Sequence, residues 1–251
     1  MSGLCVYGLI ADADTLGTGI LGTGIGGAAV RLLRAGALNA LVSDIPPAPI
    51  ARTRRSIAHA AVLERAVVHV DVLPLPCGST TPHPAALAAR IGAQADRLAA
   101  AFAGIAGRVQ LTLKASWHEG IVSAEVIAAD PELTCLRDRL QTLPATETSY
   151  ERVELGLRVG AELAERRAAE TAAMLAELSP LAEREVVLEP PEDDMIFNRA
   201  FLVPRARQAA FDAALRAVTS RHGDRVMFRH IGPMPPNHFV ELPFDPLTEA
   251  A

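Results

Sequence analysis

Apolar positions along the chain change their period several times, and each change marks an element. Leu4-Cys5-Val6-Tyr7-Gly8-Leu9-Ile10 is a short apolar run bounded by Ala11-Asp12-Ala13-Asp14, which predicts a buried strand followed by a glycine-rich loop. Val30–Arg34 and Ala40–Ile45 flank a turn containing Gly36. They fit either a hairpin or a helix leading into a strand, and Pro46-Pro47 stops the second run. From Ile50 to Ala66, the residues Ile57, Ala61 and Leu63 recur near helical spacing beside Arg52, Arg55 and His59, which predicts an amphipathic helix with those last three on its polar face. Val67–Leu75 is rich in valine and reads as a strand ended by Pro74 and Pro76. Pro84–Phe102 is alanine-rich, with Ile91, Leu98 and Phe102 on one stripe, and predicts one helix closed by Gly104 and Gly107. Val109–Ala115 alternates with period two, as a half-buried antiparallel strand does.

Near Trp117 the composition shifts to charged, helical sequence without strand signals, and the domain boundary is expected there, giving domains 1–117 and 118–251. Tyr150–Leu178 predicts one long helix with Val153, Leu157, Ala161, Ala164, Ala168, Leu175 and Leu178 near one face. Glu154 with Arg158, and Glu162 with Arg166, have the i,i+4 spacing of helix-surface ion pairs. Glu185–Leu188 and Met195–Val203 read as strands around the turn Pro190-Pro191-Glu192-Asp193-Asp194. Arg205–His222 is a helix with Phe211, Leu215 and Val218 on one stripe, Val226–Ile231 is the last strong strand, and the tail from Phe244 reads as frayed.

Of the 251 residues, 50% are hydrophobic and 21% charged, which suits a folded core and excludes a disordered or fibrous chain. The formal net charge of -5 argues against nucleic acid as a partner. No apolar window of about 18 residues occurs, so a membrane-spanning helix is not expected. The opening Met1–Leu4 lacks the cationic start of a secretory signal, which gives the expectation of a cytoplasmic protein. Cys5, Cys77 and Cys135 fit neither a disulfide framework nor a C-x-x-C site and are expected to be buried thiols.

One motif points toward an enzyme. Gly17-Thr18-Gly19-Ile20-Leu21-Gly22 satisfies G-x-G-x-x-G, and Asp44 stands where a ribose-binding acid belongs, so an NAD(P)-dependent oxidoreductase built on this loop is the alternative function. The mechanism needs the first glycine directly after the strand, whereas Ala11–Leu16 separates Gly17 from Ile10. His69 with Asp71, and His118 with Glu119, lack a third convergent group and receive no catalytic role. Glu192-Asp193-Asp194 reads as a solvated turn.

The string Ile231-Gly232-Pro233-Met234-Pro235-Pro236-Asn237-His238-Phe239-Val240 resembles the G-P-W-P-P-Y-S-F-V ending of the gas vesicle protein F/L family (GvpF/GvpL). Val6-Tyr7-Gly8-Leu9 resembles its opening strand, Ala40–Pro46 its A-L-V-S-D-V-P, and His59 with Val62-Leu63-Glu64 its H-x-x-V-L-E helix. Val72–Ser79 is similar to V-L-P-L-R-F-G-T, and Asn198–Val203 to N-x-A-F-L-V. Pro76-Cys77, Met234 and Asn237-His238 depart from the family's residues but keep its prolines and glycines.

The resemblance implies an α+β protein, with an N-terminal modified ferredoxin-like α/β sandwich domain and a C-terminal α+β domain of long helices and a small antiparallel sheet. Under it Val30–Arg34 is strand. It also implies a cytoplasmic, non-enzymatic protein associated with gas vesicles, the protein-walled, gas-filled buoyancy compartments, that serves as an assembly factor or minor structural protein. Its implied partners are the major hydrophobic shell protein and other gas vesicle accessory proteins, with no membrane lipid, no cofactor, and no catalytic, cofactor-binding or metal-ligating residue. Oligomeric state is left open. The edge of the N-terminal sheet or a groove beside the long helix could meet the shell protein, and the sheet is the surface expected, for its weakly charged strands at Leu4–Ile10 and Val30–Leu33.

Overall fold

The computed structural model describes residues 3–11, 16, 19–144, 146–188 and 194–241. It divides into two compact units, one of residues up to Leu111 with Leu202–Ala206 and the chain from Ile231, the other of Thr112–Phe201 and Arg207–His230. Among the described residues no helix is long and apolar enough to cross a membrane.

The first unit is built on an antiparallel sheet. Strand β1 (Leu4–Ile10) is buried along its whole length, as its uninterrupted apolar run requires. Strands β2 (Arg31–Ala35) and β3 (Leu38–Asp44) form the hairpin alternative, their two-residue loop turning at Gly36, whose φ of 68° lies in the region that favours glycine. Helix α1 (Arg52–Val67) crosses to strand β4 (Val72–Pro74), and the short β5 (Thr80–Thr81) pairs with β1. The order is β2-β3-β1-β4, each pair antiparallel. That is the ferredoxin-like order, with the glycine-rich segment standing where a first crossover helix would run.

Helices α2 (Pro84–Ala93) and α3 (Ala95–Ile105) supply Leu87, Ile91, Leu98, Phe102 and Ile105 to a core with Leu4, Val6 and Leu9. The single helix expected over Pro84–Phe102 is therefore two, parted at Gln94 (φ -120°, ψ 17°). The expected strand over Val67–Leu75 is also shorter. Val67 ends α1, because Val62, Leu63, Ala66 and Val67 bury one face of that helix, and tertiary burial outweighs the β preference of valine. Strand β6 (Arg108–Trp117) is buried on both sides, with Gln110 and Thr112 inside, where period-two alternation predicted one wet face.

The second unit holds helices α4 (Ile121–Ala129), α5 (Pro131–Thr142) and α6 (Ser149–Leu178), then strands β7 (Arg184–Val187) and β8 (Met195–Pro204), helix α7 (Gln208–His222) and strand β9 (Val226–Met234). It contains the greater part of a second sheet, of order β7-β8-β6-β9. Helix α7 buries the expected stripe of Phe211, Leu215 and Val218, and Phe211 tilts against Phe201 with centroids 5.2 Å apart. The overall class is α+β.

Two local expectations fail here for electrostatic reasons. Arg158 reaches Asp130 (3.3 Å) and Glu132 (3.0 Å) at the start of α5, where Asp130 also caps that helix, and Arg166 reaches Glu125 (3.0 Å) on α4. Both arginines thus leave their i,i+4 glutamates for carboxylates on other helices. The turn at 190–193 and the tail from Phe244 lie outside the described residues.

Candidate functional site

The site is assembled from the strings that carry the family resemblance. Tyr7 of β1 is wholly buried; its Oη accepts the Ile25 N–H (2.8 Å) and shares a hydrogen bond with Ser43 Oγ of β3 (2.8 Å). Its ring lies 5.3 Å from that of His59 on α1, whose Nε2 is 3.0 Å from the Leu75 carbonyl. His59 is 6% exposed and Ile57 is 65% exposed, so α1 presents its inner face one step round from the face the sequence suggested. Burial pushes the Tyr7 hydroxyl above its ordinary value and holds His59 below its own, the Leu75 contact opposing only part of that fall.

This buried cluster shapes the glycine-rich segment. At Gly24 an added Cβ would collide with the buried Tyr7 Oη, which would have to move to admit it. Arg65 of α1 donates to the carbonyls of Leu21 (3.1 Å) and Thr23 (2.7 Å). Ile20–Val30 thereby becomes a pinned crossover with a three-residue 3₁₀ turn at Ile25–Gly27 and a single antiparallel bridge between Thr23 and Ala29. A dinucleotide site needs a strand-turn-helix with the pyrophosphate at the helix N-terminus. Here no α-helix follows the loop, every pair in the sheet is antiparallel, and Asp44 bonds Arg31 (2.7 Å). Gly17 and Thr18 lie outside the described residues.

Beside the cluster the chain opens an apolar recess of about 290 Å³, walled by Ile25, by Ile45-Pro46-Pro47-Ala48-Pro49-Ile50 and by Cys5, Gly78 and Thr80, with Arg55 at one side. The three prolines restrict the backbone of this wall, which bends at Pro47 and Ala48, and Ile45 is 39% exposed. Burial raises the Cys5 thiol, the Arg55 guanidinium pulling the other way. Among the described residues the Arg55 side chain has no hydrogen-bonding or ionic partner. The expected buried thiols reduce to Cys5, since Cys77 and Cys135 are exposed.

A smaller recess of about 180 Å³ lies between α1, at His59, Leu63 and Glu64, and the C-terminal string at Met234, Pro235 and Asn237. That string packs on its own unit, with Pro235, Pro236 and Phe239 buried. Gln110 fastens it. Its Oε1 accepts the His238 N–H (3.1 Å), and its Nε2 donates to His238 Nδ1 (2.9 Å) and contacts Met234 Sδ (3.5 Å). Met234 and His238 are two of the residues at which the string departs from the family pattern, and both are met by one buried amide.

Asp71 accepts the Gly107 N–H (2.7 Å) and pairs with Arg205 (3.2 Å), while His118 sits 3.4 Å from the Gly223 carbonyl. Glu119 is exposed, and Glu192 and Asp193 lie outside the described residues. No three His, Cys, Asp or Glu side chains among the described residues come together as a metal site. Sequence reasoning missed the recess at Pro46–Ile50; the proline run was its one visible signal, read there only as a strand stop.

A family model described as "Gas vesicle synthesis protein GvpL/GvpF" matches residues 3–241. Gas vesicle protein F of Streptomyces sp. (strain CB03234) is 33% identical over 214 residues, covering 84% of this chain and 88% of that protein. Gas vesicle protein F of Dolichospermum flosaquae is 26% identical over 198 residues, 77% of this chain and 79% of its own. The crystal structure of the gas vesicle protein GvpF from Anabaena sp. PCC7120 superposes with a TM-score of 0.80 at 22% identity, covering 97% of this chain and all of that one, a likeness of fold.

Proposed function

The chain belongs to the gas vesicle synthesis protein GvpL/GvpF family, and from that premise we propose that it binds the hydrophobic gas vesicle shell protein and keeps it covered until the wall is built. Its role is related to the gas vesicle, and in this reading it acts in the cytoplasm, associated with the vesicle and with other gas vesicle proteins, without transforming any molecule. A wall that excludes water from a gas space needs subunits with large apolar faces, and such faces aggregate unless a partner covers them reversibly.

One observation supports the place of contact: the proline-framed recess of about 290 Å³, apolar on most of its wall and open at Ile45. It suits an aliphatic side chain from an extended or helical segment. Strand addition has less to offer. Strand β1 is central, with partners on both sides, and the edge strand β2 carries exposed Arg31 and Arg34, the charges that guard an edge against pairing.

The test is capture of the shell protein by the full chain carrying Ile45→Asp or Ile50→Asp. Loss of capture with an unchanged melting temperature supports the recess; capture retained by both variants removes it. Co-purification with intact vesicles through a urea wash separates the two forms of the role, retention marking a minor wall component and loss a transient helper.

A further inference from the structure

Helix α6 buries Met174 and Leu178 toward its C-terminal end, yet its N-terminal half leaves a large apolar face open. Tyr150 is 80% exposed, Val153 61% and Leu157 71%, and Ala161, Ala164 and Ala168 continue the same face, all exposed. The residues stand at spacings of three and four, one above another on the helix. From Tyr150 to Ala168 the face runs for about 27 Å. Among the described residues nothing covers them.

The charge beside this face is of one sign. Every arginine of α6 is turned to its own unit: Arg152 to the Leu140 carbonyl (2.6 Å), Arg158 to Asp130 and Glu132, Arg166 to Glu125, and Arg167 to the Met195 carbonyl (2.8 Å). The glutamates those arginines left behind stay in solvent. Glu154 and Glu165 fall along one border of the apolar face and Glu151 and Glu162 beyond them, and among the described residues none of the four side chains has an ionic or hydrogen-bonding partner.

We propose that this face of α6 docks an amphipathic α-helix of another protein, one whose apolar stripe is bordered by arginine or lysine. Tyr150, Val153 and Leu157 are the anchors, and the alanines beyond them let two helix backbones approach closely. The acidic border selects the partner by charge and steers its approach. It also selects against a second copy of this chain, because an antiparallel pair of α6 helices would set one acidic border against the other. An anionic membrane surface is disfavoured on the same ground. The inference is independent of the recess at Pro46–Ile50.

The experiment titrates the full chain with two synthetic helical peptides that share one Leu/Ala face and differ only in the flanking residues, arginine in one and glutamate in the other. The arginine peptide is expected to bind at least about tenfold more tightly at low salt, with the difference shrinking as salt rises. Leu157→Glu is expected to weaken it by about tenfold or more without moving the melting temperature, since the side chain is already in water. Glu154→Lys with Glu165→Lys is expected to invert the peptide preference. Equal binding of the two peptides, binding of neither, or indifference to Leu157→Glu overturns the proposal. So does a self-associated chain in sedimentation that Leu157→Glu turns into a monomer, since the occupant would then be a second copy.

Discussion

Two polar clusters in this molecule solve the same problem by opposite means. In the first unit, Tyr7, Ser43 and His59 are buried and neutral, and Tyr7 Oη, Ser43 Oγ and His59 Nε2 each have a short, specific partner. In the second, Glu125 takes Arg225 on both oxygens (2.9 and 2.7 Å), Arg225 reaches Glu170 (3.2 Å), and Glu170 accepts the Trp117 Nε1–H (2.8 Å). Those charges are partly solvated: the side chains of Glu125 and Arg225 are 37% and 35% exposed. A buried neutral cluster leaves little room for a missing partner or an added atom: a Cβ built at Gly24 would run into Tyr7 Oη. A half-wet charged web is screened and its arginines can exchange carboxylates, so it constrains sequence far less. Most strings that carry the family resemblance lie in the first unit.

The largest expected effect tests whether the C-terminal string is part of the first core. Phe239→Ala removes a buried ring and is expected to cost about 3–5 kcal/mol, read as a fall in the denaturation midpoint. An unchanged midpoint would place that ring outside the core and leave it free to serve an interface. Next in size is Tyr7→Phe, which strips the acceptor from the Ile25 N–H and the partner from Ser43 Oγ while keeping the ring. A loss of about 1–3 kcal/mol is expected. Glu125→Gln in the other cluster is expected to cost about 1 kcal/mol or less, because half-exposed ion pairs are worth little. If Glu125→Gln proves the costlier of the two, the contrast between the clusters is wrong.

Much of the fold was legible because local pattern and tertiary demand agreed. The apolar run Leu4–Ile10, the extent of the long helix ending at Leu178 and the stripe of α7 all behave as their periodicity requires, and the turn at Gly36 takes the hairpin form, one of the two its pattern allowed. Illegible features were those in which a distant partner decided. Val67 is helical because the sheet needs its methyls, and His59 is buried because Leu75 and Tyr7 await it. Arg158 and Arg166 leave their i,i+4 partners for Asp130, Glu132 and Glu125. The recess was hidden for the same reason: Cys5, Ile25, Pro46 and Gly78 belong to four separate segments that only the folded chain gathers. Apart from the resemblance, nothing in the sequence says that those segments meet.

The finest test of the contrast is acid. Stability rises with pH wherever the unfolded chain binds more protons than the folded one. His59 is held neutral by burial, so in the unfolded chain it takes up a proton near its ordinary value of 6.5 while the folded ring resists. Its contribution is therefore complete above about pH 6.5 and erodes as pH falls below that value, until the folded ring itself protonates. His230 of the second unit shifts the same way, through partial desolvation opposed by Asp212, but it lies exposed on β9 and adds only a small part to the same window. Glu125 differs in kind: the Arg225 hydrogen bonds hold its carboxyl below the ordinary 4.5, so its contribution stands above that value and is lost only as pH falls through the depressed one. Denaturation midpoints measured from neutral pH into acid should thus show two separate declines. Replacing His59 by Gln should flatten the first without removing it, since His230 remains, and should leave the second in place. Glu125→Gln should do the converse. A first decline that His59→Gln leaves unaltered would mean that the ring titrates freely in the folded chain and that the cluster around Tyr7 is open to water.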